Sequence, residues 1–276
     1  WMKGAGQIII YNFEKKKAKE LLTEASLIIA LDFNDLSRIR EFNAILKDNP
    51  CFKVLIDHHP NPGEFADVTI SNVLVSSTAE LVYGFIRHMG LENTLDKDIA
   101  SCLYAGIMTD TGCFSFNSSR PETFHIVADL LKLGIDKDAI FDQVYDNFSS
   151  ERLKLMGYCL HEKMVYLPEY KTAYISLSQE ELRKFNFRVG DSEGFVNLPL
   201  SIADVRFSAL IMENKDCVKL SFRSKGSFAV NMFAADHFEG GGHKNAAGGE
   251  SANSLDDTVT RFTDLLPNYK DALHTD

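Results

Sequence analysis

The stretch Phe52-Lys53-Val54-Leu55-Ile56-Asp57-His58-His59 decides the fold. Five mostly apolar residues run straight into an acid and two imidazoles. An earlier run, Leu27-Ile28-Ile29-Ala30-Leu31, ends the same way, in Asp32. Short β-branched runs separated by a helical segment read as buried parallel strands. In open α/β sheets, chemistry gathers at the carboxyl ends of such strands. Asp32 and the Asp57-His58-His59 cluster are therefore expected on one rim. Neighbouring side chains on an extended backbone point to opposite faces. One histidine is thus expected as a metal ligand and the other on the substrate side.

Working outward, residues 7–11 read as a strand and residues 14–25 as an exposed helix with Ala18, Leu21, Leu22 and Ala25 inward. A helix over 35–47 turns Leu36, Ile39, Ile45 and Leu46 to the core. This alternation predicts a parallel sheet with helices on both faces. Ser76-Ser77-Thr78 starts a helix near 79–89, with Glu80 in its first turn. Asp96 or Asp98 starts another, which ends before Thr109-Asp110-Thr111-Gly112. Helices follow at about 121–133, 137–146 and 149–162.

The pattern then changes. Strands at 163–167, 171–177, 205–212 and 217–223 flank turn signals at Pro168–Lys171 and Asn214-Lys215-Asp216. A helix at 228–237, the loop Gly240-Gly241-Gly242-His243 and a helix at 254–266 complete the chain. The expectation is an α/β protein of two domains. Residues 1–150 form a parallel-sheet domain, 151–165 a linker helix, and 166–276 a smaller mixed α/β domain.

Composition narrows the function. The chain of 276 residues is 45% hydrophobic, normal for a globular protein, and carries a net charge of −10. It lacks the basic runs that hold long nucleic acids by counterion release. A phosphorylated substrate is then small and held by metals and a few placed arginines. No apolar stretch approaches the roughly 18 residues of a membrane span. The five scattered cysteines form no Cys-x-x-Cys pair, which argues for a reducing cytoplasm over a disulfide framework.

Asp32, His58 and Asp110 make a mixed oxygen and nitrogen set that suits Mn²⁺, and less selectively Mg²⁺, Fe²⁺, Co²⁺ or Zn²⁺. A bridging carboxylate would hold two such ions about 3.5–4 Å apart, the two-metal hydrolase arrangement. Singly, Asp32 and Asp110 read first as helix-end residues. Asp57-His58-His59 resists that reading, because ionisable groups in a row at a strand end need partners. Arg223-Ser224 offers a guanidinium fork and a hydroxyl to a phosphate, although a lone arginine defaults to a surface pair. The glycines before His243 let backbone N–H groups approach an anion. Phe114 and Phe116 read first as core and second as base-stacking groups. His88, His125, His161, His237 and His274 sit in no motif and belong to surfaces or helix ends.

Taken together, the chain resembles the DHH phosphoesterase superfamily, nearest the nano-RNase and pAp-phosphatase (NrnA-like) branch with its DHH-associated C-terminal domain. Five elements carry the resemblance, in the family's order: LIIALDFNDLSRI with Asp32, VLIDHHPNP with Asp57, His58 and His59, GIMTDTGCFSF with Asp110, LSFRSKGSFAVN with Arg223, and GGGHKNAAGG with His243. It implies a hydrolase with a cleft between two domains and two Mn²⁺ ions, with Mg²⁺ or Co²⁺ as substitutes. The implied substrates are very short oligoribonucleotides, cut to mononucleotides, and 3′-phosphoadenosine 5′-phosphate. Linear or cyclic dinucleotide turnover and a non-catalytic nucleotide-binding protein are the alternatives.

By position, Asp32 resembles the bridging ligand, and His58 and Asp110 ligands of the second metal. His59 matches the residue near the phosphate and Asp57 its supporting acid. Arg223, Ser224, Gly241, Gly242 and His243 match the substrate-binding part. The family also carries an upstream strand and a His-x-Asn-Pro-Asp-Gly-Asp motif, which nothing in residues 1–31 matches. With Trp1-Met2 at the start, the expectation is that a preceding segment supplies both. Homodimerisation stays open.

Overall fold

The structure is a computed structural model that describes residues 1–275, without the side chains of residues 40 and 41. The chain divides into two compact units, Trp1–Asn147 and Phe148–Asp276.

In the first unit, β1 (Leu27–Leu31), β2 (Phe52–Asp57) and β3 (Val68–Ser71) form a parallel sheet in that order. Leu31 lies beside Ile56, so β1 and β2 end level, one residue before Asp32 and at Asp57. β2 is the central strand and is almost wholly buried; Leu55 and Ile56 are fully enclosed. Helix α1 (Lys15–Glu24) precedes β1, and α2 (Asn43–Asp48) follows it. Four helices make a second core beside the sheet: α3 (Thr78–His88), α4 (Lys97–Asp110), α5 (Pro121–Lys132) and α6 (Lys137–Tyr145). Tyr83, Leu103, Tyr104, Ile107, Met108 and Leu130 fill it. Each helix start has a physical cause. Ser77 accepts the Glu80 N–H, Asp96 the Ile99 N–H and Asp136 the Ala139 N–H, and Pro121 opens α5.

Several local expectations are corrected. Residues 7–11 form no strand among the described residues. Ala5–Gln7 is a 3₁₀ turn, and the Ile10 carbonyl accepts from the Phe13 and Glu14 N–H groups. A strand needs a ladder partner, and here the backbone satisfies itself locally. The helix expected over 35–47 breaks into a 3₁₀ segment, Leu36–Phe42, and the short α2. Leu36 and Leu46 are buried as expected, but Leu21 of α1 is exposed. Helices cover the sheet incompletely among the described residues: Leu27, Ile29 and Leu31 of β1 stay about half exposed.

The second unit holds a six-stranded mixed sheet. Its strands are β4 (Met164–Leu167), β5 (Thr172–Leu177), β6 (Phe207–Glu213), β7 (Val218–Ser224), β8 (Gly241–His243) and β9 (Ala246–Ser251), in the order β4-β5-β6-β7-β9-β8. Only β5 and β6 pair in parallel. Helices α9 (Val230–His237), α10 (Leu255–Leu265) and α11 (Lys270–His274) join the sheet in one core, built on Phe207, Phe222, Phe233, Phe238 and Phe262. Each such buried phenylalanine contributes about 1.5–3 kcal/mol over leaving it in water. A second core takes α7 (Ser150–Tyr158) and α8 (Gln179–Lys184), with Leu155, Cys159, Leu182, Phe195 and Leu210. Helix α7, which the sequence presents as a connector, therefore packs inside the second unit. Its Arg152 donates to the Asp191 and Glu193 carbonyls and lies over the Phe148 ring.

Candidate metal centre and phosphate grip

The rim of the parallel sheet gathers the acids and imidazoles of the first unit. The Asp32 N–H donates to the Ile56 carbonyl at 3.2 Å, which prolongs the β1–β2 ladder by one step. The residue then turns left-handed, with φ of 63°. Aspartate tolerates that region better than most residues. Its Oδ1 lies 3.8 Å from His58 Nε2 and 3.9 Å from His59 Nδ1, and accepts a 2.8 Å hydrogen bond from Thr78 Oγ1.

Asp57 is the last residue of β2 and is fully buried. Both its oxygens serve His59: Oδ1 is 2.8 Å from the ring Nδ1, and Oδ2 accepts the backbone N–H at 3.0 Å. This hook corrects the expectation that the two histidines diverge. His58 and His59 lie beyond the strand, their ring centroids are 4.8 Å apart at 80°, and both face Asp32. Period-two alternation applies only while the backbone stays in the sheet.

Asp110 closes α4, and its Oδ2 lies 3.8 Å from His58 Nε2. A turn of left-handed residues, Gly112, Cys113 and Phe114, ends the helix. Glycine suits position 112, whose φ is 52° and where a Cβ would come within 2.3 Å of the Phe116 ring and displace it. Phe114 packs in the core against Tyr104 and Phe124, whereas Phe116 is 52% exposed. Burial pushes the Asp110 carboxyl above the usual carboxylate range; His58 pulls it down and Asp32 pushes it up further.

Asp32, His58 and Asp110 each offer a ligand atom within 4.8 Å of the others, and so do Asp32, Asp57 and His59. Asp32 is common to both groups. Two carboxylates, one of them partly shielded from water, against one imidazole make a set that a divalent cation relieves and that matches hard-to-borderline ions. The residues present therefore fit a metal.

The second unit builds the other set. Its register puts both Arg223 and His243 opposite Ala246, on either side of it. Adjacent strands lie about 4.8 Å apart, so roughly 9.6 Å separates the two backbones, with only a methyl group between. Arg223 Nη1 donates to the Phe222 carbonyl, and burial pulls its guanidinium below the ordinary arginine range, against the field of Glu193. Ser224 is buried; its hydroxyl donates to the Phe228 carbonyl and accepts from Asn245 Nδ2. It clasps the segment after β7.

Gly241-Gly242-His243, expected as a loop, is a short strand paired with β9. The glycines permit close approach. A Cβ on Gly240 would lie 2.0 Å from the Gly248 carbonyl oxygen, and one on Gly242, whose φ is 143°, 2.5 Å from that of Ala246. Gly240→Ala is expected to destabilise the protein by about 1–3 kcal/mol. An unchanged urea midpoint would contradict this account.

The remaining histidines stay outside these sets. His237, for one, bonds the Tyr269 hydroxyl at 2.6 Å. The residue that sequence reasoning missed is Thr78, whose Ser-Ser-Thr context signals only a helix start. No helix of the described residues is long and apolar enough to cross a membrane.

Comparison with known proteins identifies the family of both units. Residues 3–107 match the DHH family N-terminal domain and residues 169–271 the DHHA1 domain. The probable bifunctional oligoribonuclease and PAP phosphatase NrnA of Streptococcus mutans is 32% identical over 83% of this chain and 71% of its own length. The bifunctional oligoribonuclease and PAP phosphatase NrnA of Bacillus subtilis is 29% identical over 76% of this chain and 66% of its own. A crystal structure of an exopolyphosphatase-related protein from Bacteroides fragilis superposes with a TM-score of 0.95 at 45% identity, covering 100% of this chain and 81% of that one. The chain therefore belongs to the DHH family, with a DHHA1 domain following its N-terminal domain.

Proposed function

We propose that this protein is a metal-dependent phosphoesterase that hydrolyses very short oligoribonucleotides to mononucleotides and dephosphorylates 3′-phosphoadenosine 5′-phosphate. One observation carries the reading: Asp32, His58 and Asp110 converge on the same sheet rim as the Asp57–His59 pair. The names of the two NrnA relatives supply the substrate class. Asp32, His58 and Asp110 hold the metal, Mn²⁺ by preference. Such ions polarise a phosphoryl group and ionise water at neutral pH.

The chain's own residues do the rest. Asp57 accepts from His59 Nδ1–H, which fixes the tautomer and gives the proton-handling role to Nε2. Nε2, left with its lone pair, accepts the proton that the attacking water loses and returns it to the departing ribose oxygen, which leaves as a hydroxyl. Arg223 and His243 flank Ala246 and grip a substrate phosphate, Arg223 by its fork. Gly242 lets the strand carrying His243 come close to β9, Gly241 beside it has open space where a phosphate can approach the backbone, and Ser224 holds the segment beside Arg223. The unpaired cysteines support a cytoplasmic setting.

The test is direct. The full-length protein is incubated with Mn²⁺ and, separately, a 5′-phosphorylated RNA dinucleotide and 3′-phosphoadenosine 5′-phosphate. Mononucleotide and free phosphate are the expected products, and EDTA abolishes both. Metal binding without turnover of either compound would refute the substrate assignment.

A further inference from the structure

Asp32 sits in a left-handed backbone conformation in the loop between β1 and the 3₁₀ segment Leu36–Phe42, so neither element sets the direction of its side chain. What fixes it is Thr78. The threonine is buried, is the first residue of α3, and donates to Asp32 Oδ1 at 2.8 Å. That oxygen is the one facing both His58 and His59. Thr78 is itself held from behind. Glu80, also buried, accepts from the Ser76 N–H at 3.2 Å, from the Ser76 hydroxyl and from Thr123 Oγ1 of α5 at 2.8 Å. Ser77 caps the same helix through the Glu80 N–H. A buried carboxylate with three donors is far more than a helix start requires. It locks the Ser76–Thr78 corner to α5, and the corner locks Asp32.

We infer that Thr78 is a positioning residue that sets the orientation of the Asp32 carboxylate for metal binding, with Glu80 and Thr123 as its support. The inference rests on the metal-centre reading given above. Carboxylate ligands are ordinarily oriented by hydrogen bonds from behind, and loss of such a partner costs about 10–100-fold in metal affinity or activity. Thr78 gives the Asp32 carboxylate a neutral donor, on the same oxygen that the two imidazoles face.

Thr78→Val keeps the shape and removes the donor, whereas Thr78→Ser keeps the donor and removes the methyl. Mn²⁺ affinity is measured by calorimetric titration of the full-length protein, and thermal midpoints are taken without metal. Thr78→Val is expected to bind Mn²⁺ 10–100-fold more weakly and to lose kcat with little change in KM. Thr78→Ser is expected to stay within a few-fold of wild type. Thr78→Ala carries the same expectation as valine, should the branched side chain not fold. A role confined to the helix start predicts the opposite split: lower metal-free midpoints in the variants with Mn²⁺ affinity unchanged. That result would overturn the inference and leave the metal centre standing. A wild-type protein that binds no Mn²⁺ would remove both.

Discussion

Asp32→Asn is expected to lower phosphoester turnover by at least about 1,000-fold, more than loss of one transition-state hydrogen-bond donor commonly costs. The asparagine still offers Thr78 an oxygen, so the corner at α3 survives and the loss is one of charge. Asp32 is the only residue shared by the two potential ligand groups of the first unit. Removing its charge weakens the set it forms with His58 and Asp110 and alters the field at His59, and Mn²⁺ affinity should fall with the rate. The metal-free protein should not melt earlier. Asp32 pushes the nearby Asp110 carboxyl upward, so its neutralisation relieves a repulsion. Near-wild-type turnover in this variant would show that the two groups are not joined through Asp32.

Asp57→Asn should cost about 100- to 10,000-fold in kcat, with KM little altered, as when the acid behind a catalytic imidazole is amidated in other hydrolases. Asp57 is fully buried, and both its oxygens accept from His59, at 2.8 and 3.0 Å. An amide has only one acceptor. It must turn its NH₂ toward either the His59 backbone N–H or the ring Nδ1. The first opposes two donors; the second forces Nδ1 to accept and moves the ring proton to Nε2. Steady-state kinetics on a dinucleotide separate kcat from KM. An unchanged kcat would remove His59 from proton handling.

The sequence made the site more legible than the scaffold around it. Apolar runs ending in Asp32 and Asp57 announce β1 and β2 because those strands are parallel and central. β3 is short and half-open, so Val68–Ser71 carries no apolar run. The 7–11 run has strand composition, yet pairing is a tertiary property that composition does not contain. The glycines at 240–242 mark a close approach, but whether to a ligand or to a neighbouring strand depends on β9. The convergence of His58 and His59 was hidden because Asp57 hooks the chain back just where the strand stops. Thr78 is 46 residues from its partner, and no local pattern records that hydrogen bond.

The convergence of Asp32, His58 and Asp110 on one rim links cation binding to folding. Any cation that binds the folded rim and not the unfolded chain stabilises the fold by mass action, by about 2.7 kcal/mol at a concentration 100 times its dissociation constant. Cation occupancy and folding of the first unit are then one linked equilibrium. The melting temperature becomes a gauge of metal supply, and a cell starved of that metal would hold less of the folded protein as well as a less active one.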